Sequence, residues 1–135
     1  MVRVFLGGTC NESTWRNKMM AYLHDLGLEY FNPVVDDWDE NAQANELKER
    51  AECDFCLYAI TPKMTGAYSV AEVIDDSNKR PEKTILVLLH DDGDNKFTEG
   101  QWKSLKSVAK MVKRNGGQVF DNLYFAALHC WKMTQ

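Results

Sequence analysis

The chain has 135 residues, 44% of them hydrophobic and 27% charged, a balance that predicts one folded domain over residues 1–135 and excludes a disordered chain. Its 20 acidic residues outnumber 16 basic ones, for a formal charge of -4, so no positive field gathers nucleic acid or an anionic membrane, and neither is expected as a partner. The opening run Met1-Val2-Arg3-Val4-Phe5-Leu6 is too short for a signal peptide and no later apolar stretch reaches the length of a membrane span, which predicts a cytoplasmic location.

Val2 to Leu6 reads as a buried strand that meets a turn at Gly7-Gly8-Thr9. A helix follows from Ser13 to Leu26, with Trp15, Met19, Tyr22, Leu23 and Leu26 on one face and Gly27 at its end. Leu28 to Phe31 is a short strand stopped by Asn32-Pro33. A polar loop holding Asp36, Asp37, Trp38 and Asp39 then leads into a helix from Asn41 to Cys53. Phe55 to Ile60 is a third strand, closed by Thr61-Pro62, and Ser69 to Ser77 a third helix. The apolar strand Thr84 to Leu89 precedes Asp91-Asp92-Gly93-Asp94, which lacks the spacing of a calcium loop and reads as a solvated turn. A helix from Glu99 to Arg114, a strand from Gln118 to Phe120 and a helix from Asp121 to Met133 complete the pattern.

Five strands separated by helices require an α/β sandwich of three layers. The sheet is parallel, covered on both faces and most simply ordered 2-1-3-4-5. Ligands of such sheets lie beyond the carboxyl ends of the strands, at the switch point between strands 1 and 3. That rule nominates Gly7 to Thr9, Asn32 to Trp38 and Thr61 to Glu72.

Gly8 and Thr9 offer backbone amides and a hydroxyl near a helix start, an arrangement suited to anions, and read also as a plain tight turn. They form neither a Walker loop nor a three-glycine dinucleotide fingerprint. Glu72 falls about one turn into the third helix among apolar neighbours, where burial raises its pKa and the helix start lowers it. It reads either as an ordinary helical glutamate or as a nucleophile or proton carrier. Phe31 to Trp38 combines aromatic and acidic residues, as a structural loop or as a surface for a heterocycle. Cys10, Cys53, Cys56 and Cys130 lack the spacing of a metal site, and Cys53-Asp54-Phe55-Cys56 enters a strand rather than a helix, so the four are expected as buried structural thiols. His24, His90 and His129 form no ligand or triad pattern.

Several segments in this order resemble the nucleoside 2-deoxyribosyltransferase family, in its divergent branch. They are Phe5-Leu6-Gly7-Gly8-Thr9 with Trp15-Arg16, Phe31-Asn32-Pro33-Val34-Val35-Asp36-Asp37-Trp38, Cys53-Asp54, Ile60-Thr61-Pro62 and Tyr68-Ser69-Val70-Ala71-Glu72. The resemblance implies a flavodoxin-like fold and cleavage of the N-glycosidic bond of a deoxynucleoside or its monophosphate. Glu72 would be the nucleophile, with transfer of the sugar to another base or to water. Glu46 stands where the family carries an aspartate acid-base group. Gly8, Thr9 and Ser69 would lie near sugar or phosphate, and Asp37 with Trp38 near the base. The partner is thus a small nucleoside or nucleotide, with no metal or organic cofactor, and a homo-oligomer is implied. Phe5 replaces the family's tyrosine of strand 1 and Gly66 an acid six positions before the nucleophile. Both departures suit an alternative, a catalytically silent nucleotide-binding module; a further alternative is an NAD-type glycohydrolase.

Overall fold

The computed structural model describes residues 1–10, 13–35 and 39–135. Strands β1 (Arg3–Gly8), β2 (Glu29–Phe31), β3 (Phe55–Ile60), β4 (Thr84–Leu88) and β7 (Gln118–Phe120) form one sheet. Its order is β2-β1-β3-β4-β7 and every neighbour pair is parallel. This is the order expected from the alternation, consistent with a flavodoxin-like fold. Helices α1 (Trp15–Asp25), α2 (Glu40–Glu52), α3 (Tyr68–Lys79), α4 (Glu99–Asn115) and α5 (Leu123–Lys132) flank it.

The central strands are continuous apolar runs because both faces of the sheet are covered. Val4, Leu6, Phe55, Leu57, Ala59, Ile85 and Val87 point to one side, into a cluster with Trp15, Met19 and Leu23 of α1 and Ala126, Ala127 and Cys130 of α5. Their alternates Phe5, Cys56, Tyr58, Ile60, Leu86 and Leu88 point to the other, against Val73 of α3 and Leu105, Ala109 and Val112 of α4. In contrast, α2 buries charge: its buried residues are Glu49 and Arg50. Glu49 accepts both carboxylate contacts from Arg3 Nη1, at 3.0 and 2.9 Å.

Two expectations are corrected and one element is added. Gly7 and Gly8 are strand residues, paired in register with Tyr58 and Ala59, and no tight turn forms there. A Cβ on Gly7 would lie 2.5 Å from the Tyr58 ring, and one on Gly8, at φ 117°, would lie 2.1 Å from the Ala59 carbonyl oxygen. Gly7 thus leaves room for the Tyr58 ring, and Gly8 for the close approach of the β3 backbone. The acidic turn, exposed at Gly93 and Asp94, closes an unforeseen small antiparallel hairpin, β5 (Asp91–Asp92) and β6 (Asn95–Lys96). Asp92 anchors it by accepting hydrogen bonds from Ser13 Oγ and Thr61 Oγ1, both at 2.6 Å. Finally, Cys10 is exposed; Cys53, Cys56 and Cys130 are buried as expected, and burial pushes each of these thiols up to about 12.

Candidate active site

A cavity of about 660 Å³ opens where β1 and β3 end and α3 begins. Gly7, Gly8 and Thr9 line it from β1, Val34 and Val35 from the segment after β2, Glu46 from α2, and Ser69 and Glu72 from α3. All three segments nominated by the switch-point rule therefore contribute. A more open depression of about 540 Å³ beside Arg3, His24 and Glu29 lies at the amino ends of β1 and β2, the end of a parallel sheet that ligands do not use.

Glu72 sits on the fifth residue of α3, with its side chain 8% exposed. The reading of an ordinary solvated glutamate does not hold. Burial, then a hydrogen bond and like charge from Glu46, push its pKa from the usual 4.5 up to about 8, against the pull of Arg50. The two carboxyls that sequence reading paired both line the cavity, close enough for Glu46 to favour the protonated form of Glu72. No side chain caps α3 at Ala67, and Tyr68 and half-buried Ser69 of its first turn line the cavity, at the helix end that favours anions.

Arg50 was not singled out from sequence. Its side chain is 6% exposed, and its Nη2 and Nε donate to Asp76 at 2.9 and 3.4 Å. Nη2 also meets Asp75 at 3.4 Å, and Nη1 lies 3.5 Å from Glu72 Oε2. That oxygen accepts no hydrogen bond from a donor among the described residues. Asp76 is fully buried and accepts from Arg80 Nε at 3.0 Å and from the Tyr58 hydroxyl in a short bond. Burial by itself would lower Arg50; the hydrogen bond to Asp76 and the surrounding acids outweigh it, and the guanidinium titrates above its usual value. Burial and Asp76 hold the Tyr58 phenol protonated.

A second buried cation shapes the rim. Arg16 Nε donates to Leu6 O at 3.1 Å, Nη1 to Thr9 O at 2.6 Å and Nη2 to Gly8 O at 3.3 Å, and its guanidinium stacks 4.6 Å from the Trp15 ring. The Trp15 indole also donates to Thr9 O, at 2.8 Å. Thr9 is itself buried, and its hydroxyl accepts the Thr61 amide at 2.9 Å, which ties β1 to the end of β3. Gly8 and Thr9 thus line the cavity as a fixed edge. Asp37 and Trp38, expected near a base, lie outside the described residues. Phe5, where the family carries tyrosine, stacks on Phe31 with ring centroids 5.9 Å apart.

The sequence model of the family described as nucleoside 2-deoxyribosyltransferase like matches residues 1–91. The chain belongs to this family. The match spans β1 to the first strand of the hairpin, and so takes in every described segment that lines the cavity. Membership in the nucleoside 2-deoxyribosyltransferase-like family ties the chain to nucleoside binding and nucleoside-related glycosyl transfer. No curated protein matches the chain. Among the described residues no helix is long and apolar enough to cross a membrane.

Proposed function

We propose that this protein cleaves the N-glycosidic bond of a 2′-deoxynucleoside or its monophosphate, through a covalent sugar ester on Glu72. The observation that carries the reading is the pairing of the Glu72 and Glu46 carboxyls over the cavity, in a member of this family. Such a pair suits the chemistry because one carboxyl must be an anion and the other an acid in the same step. Once the proton passes from Glu72 to Glu46, the anionic Glu72 oxygen attacks the anomeric carbon as the bond to the base breaks, and Glu46 gives that proton to the departing nitrogen. A second base, or water that returns its proton to Glu46, then opens the ester. Exposed Val34 and Val35 beside the cavity suit the face of a heterocycle. The uncapped start of α3 with Ser69 suits a 5′ hydroxyl or phosphate. The reading takes residues 1–135 as one domain, because β7 extends the same sheet and α5 packs on α1.

The alternative of a binding module without turnover is favoured by Phe5, which brings no hydroxyl to the cavity. One assay separates the two: release of free base from deoxynucleosides, ribonucleosides, their monophosphates and NAD, with and without an added acceptor base. Wild type is expected to release base from a deoxy substrate, Glu72→Ala to release none, and Glu46→Gln to be slowed by about 100-fold or more. Nucleotide binding without release by the wild type would refute the enzyme reading.

A further inference from the structure

We propose that Arg50 is a positioning residue for Glu72: locked on Asp76, it offers the carboxylate a compensating charge without a hydrogen bond on Oε2. The inference rests on the reading of Glu72 as the nucleophile. Glu46 and Arg50 lie one turn apart on α2, and Glu72 and Asp76 one turn apart on α3. The two helices therefore present two facing pairs, Glu46 with Glu72 at the cavity and Arg50 with Asp76 behind it.

A nucleophilic carboxylate that is buried needs a cation to ionise at all. A strong charged donor clamped on the carboxylate would instead stabilise the resting anion more than the ester that replaces it, and slow the reaction. The geometry meets both demands. Arg50 spends Nε and Nη2 on Asp76, itself fixed by Arg80 and the Tyr58 hydroxyl, and leaves Nη1 3.5 Å from Oε2 with no hydrogen bond made. When the ester forms and Glu72 loses its charge, Asp76 still neutralises the guanidinium, so no buried cation is left unpaired. Among the described residues, the charged groups acting on Glu72 are Glu46 and Arg50 from α2, Asp76 from α3 and, from α1, Arg16.

The test is a carbon-detected NMR titration of protein labelled at the glutamate side-chain carboxyls, with the Glu72 signal assigned by its absence in Glu72→Gln. Arg50→Met is expected to raise the Glu72 midpoint by about one unit or more, and Asp76→Asn, which removes a like charge near Glu72 and frees Arg50 for it, to lower it. Arg50→Lys should fall between wild type and Arg50→Met. A generally loosened fold would not move the midpoint in opposite directions. In the base-release assay Arg50→Met should lower kcat by about tenfold or more with KM little changed. If neither charge variant moves the midpoint, or both move it the same way, the inference is overturned, whatever the activity. If the opposite shifts occur in a protein that cleaves no nucleoside, the placement of Arg50 stands and the proposed reaction falls. Should Arg50→Met fail to fold, Asp76→Asn decides alone: an unmoved or raised midpoint overturns the inference.

Discussion

Glu72→Gln is expected to stabilise the fold, and to do so more as the pH rises. The ordinary glutamate value of 4.5 is pushed up to about 8 in the folded chain, so between these values the folded state keeps a proton that the unfolded state releases. Stability then falls as pH rises through that window; below it both states are protonated and there is no penalty, and above it the penalty is complete. The window is about 3.5 pH units wide, and at about 1.4 kcal/mol per unit the ceiling is about 5 kcal/mol. Sharing of the proton with Glu46, and water entering the cavity, bring the expected value to about 2–3 kcal/mol. Glutamine keeps the shape of the side chain and can donate to Glu46, while Arg50 retains Asp76 as its partner. Urea midpoints for both proteins near pH 5 and pH 8 measure the difference, provided the m-values agree. A gain equal at both pH values, or a loss at the higher one, would refute the reasoning. Loss of base release in the same variant would mark the strain as functional.

Gly7→Ala places a methyl group 2.5 Å from the Tyr58 ring and is expected to cost about 1–3 kcal/mol in urea unfolding. The control is Gly66→Ala, where nothing lies within 4 Å and the change should stay within about 0.5 kcal/mol; equal costs would contradict the packing argument. Iodoacetamide at mild alkaline pH should place one adduct on the native chain, at exposed Cys10, because burial holds the other thiols protonated up to about 12. Early labelling of Cys53 or Cys56 in the native protein would contradict that account.

The order of the sheet was legible because its strands are apolar runs ended by glycine and proline, as at Ile60-Thr61-Pro62, and the helices between them leave no other connection. The errors lie where segments distant in sequence meet. A Gly7-Gly8 pair carries the local signature of a turn; here it is strand, in register with β3, and its lack of side chains makes room for the Tyr58 ring and the Ala59 backbone. The hairpin at Asp91 to Lys96 is two residue pairs long, and Ser13 and Thr61, both distant in sequence, hold it in place. Glu72 and Glu46 could be paired from sequence through the family resemblance. Arg50 carried no such mark, since an arginine in a polar helix reads as solvated. Its signal was the matching four-residue spacing, Glu46 to Arg50 and Glu72 to Asp76, which acquires meaning only when the two helices are set face to face.

The replacement of the family's strand 1 tyrosine by Phe5 can then be weighed against what stands beside it. The Phe5 ring lies 6.0 Å from that of Tyr58, on the adjacent strand and the same face of the sheet. Tyr58 sends its hydroxyl to Asp76, which holds Arg50, whose free nitrogen faces Glu72. A phenol is therefore still coupled to the glutamate, through two charged groups instead of directly. The same arrangement accounts for Gly7, because a side chain there would displace the Tyr58 ring from the space that lets it reach Asp76. Gly7, Tyr58, Asp76 and Arg50 form one chain of packing and hydrogen bonds that ends at Glu72. Loss of the strand 1 hydroxyl is on this argument a change in how the carboxylate is held, which weakens the support that Phe5 lends to a silent site.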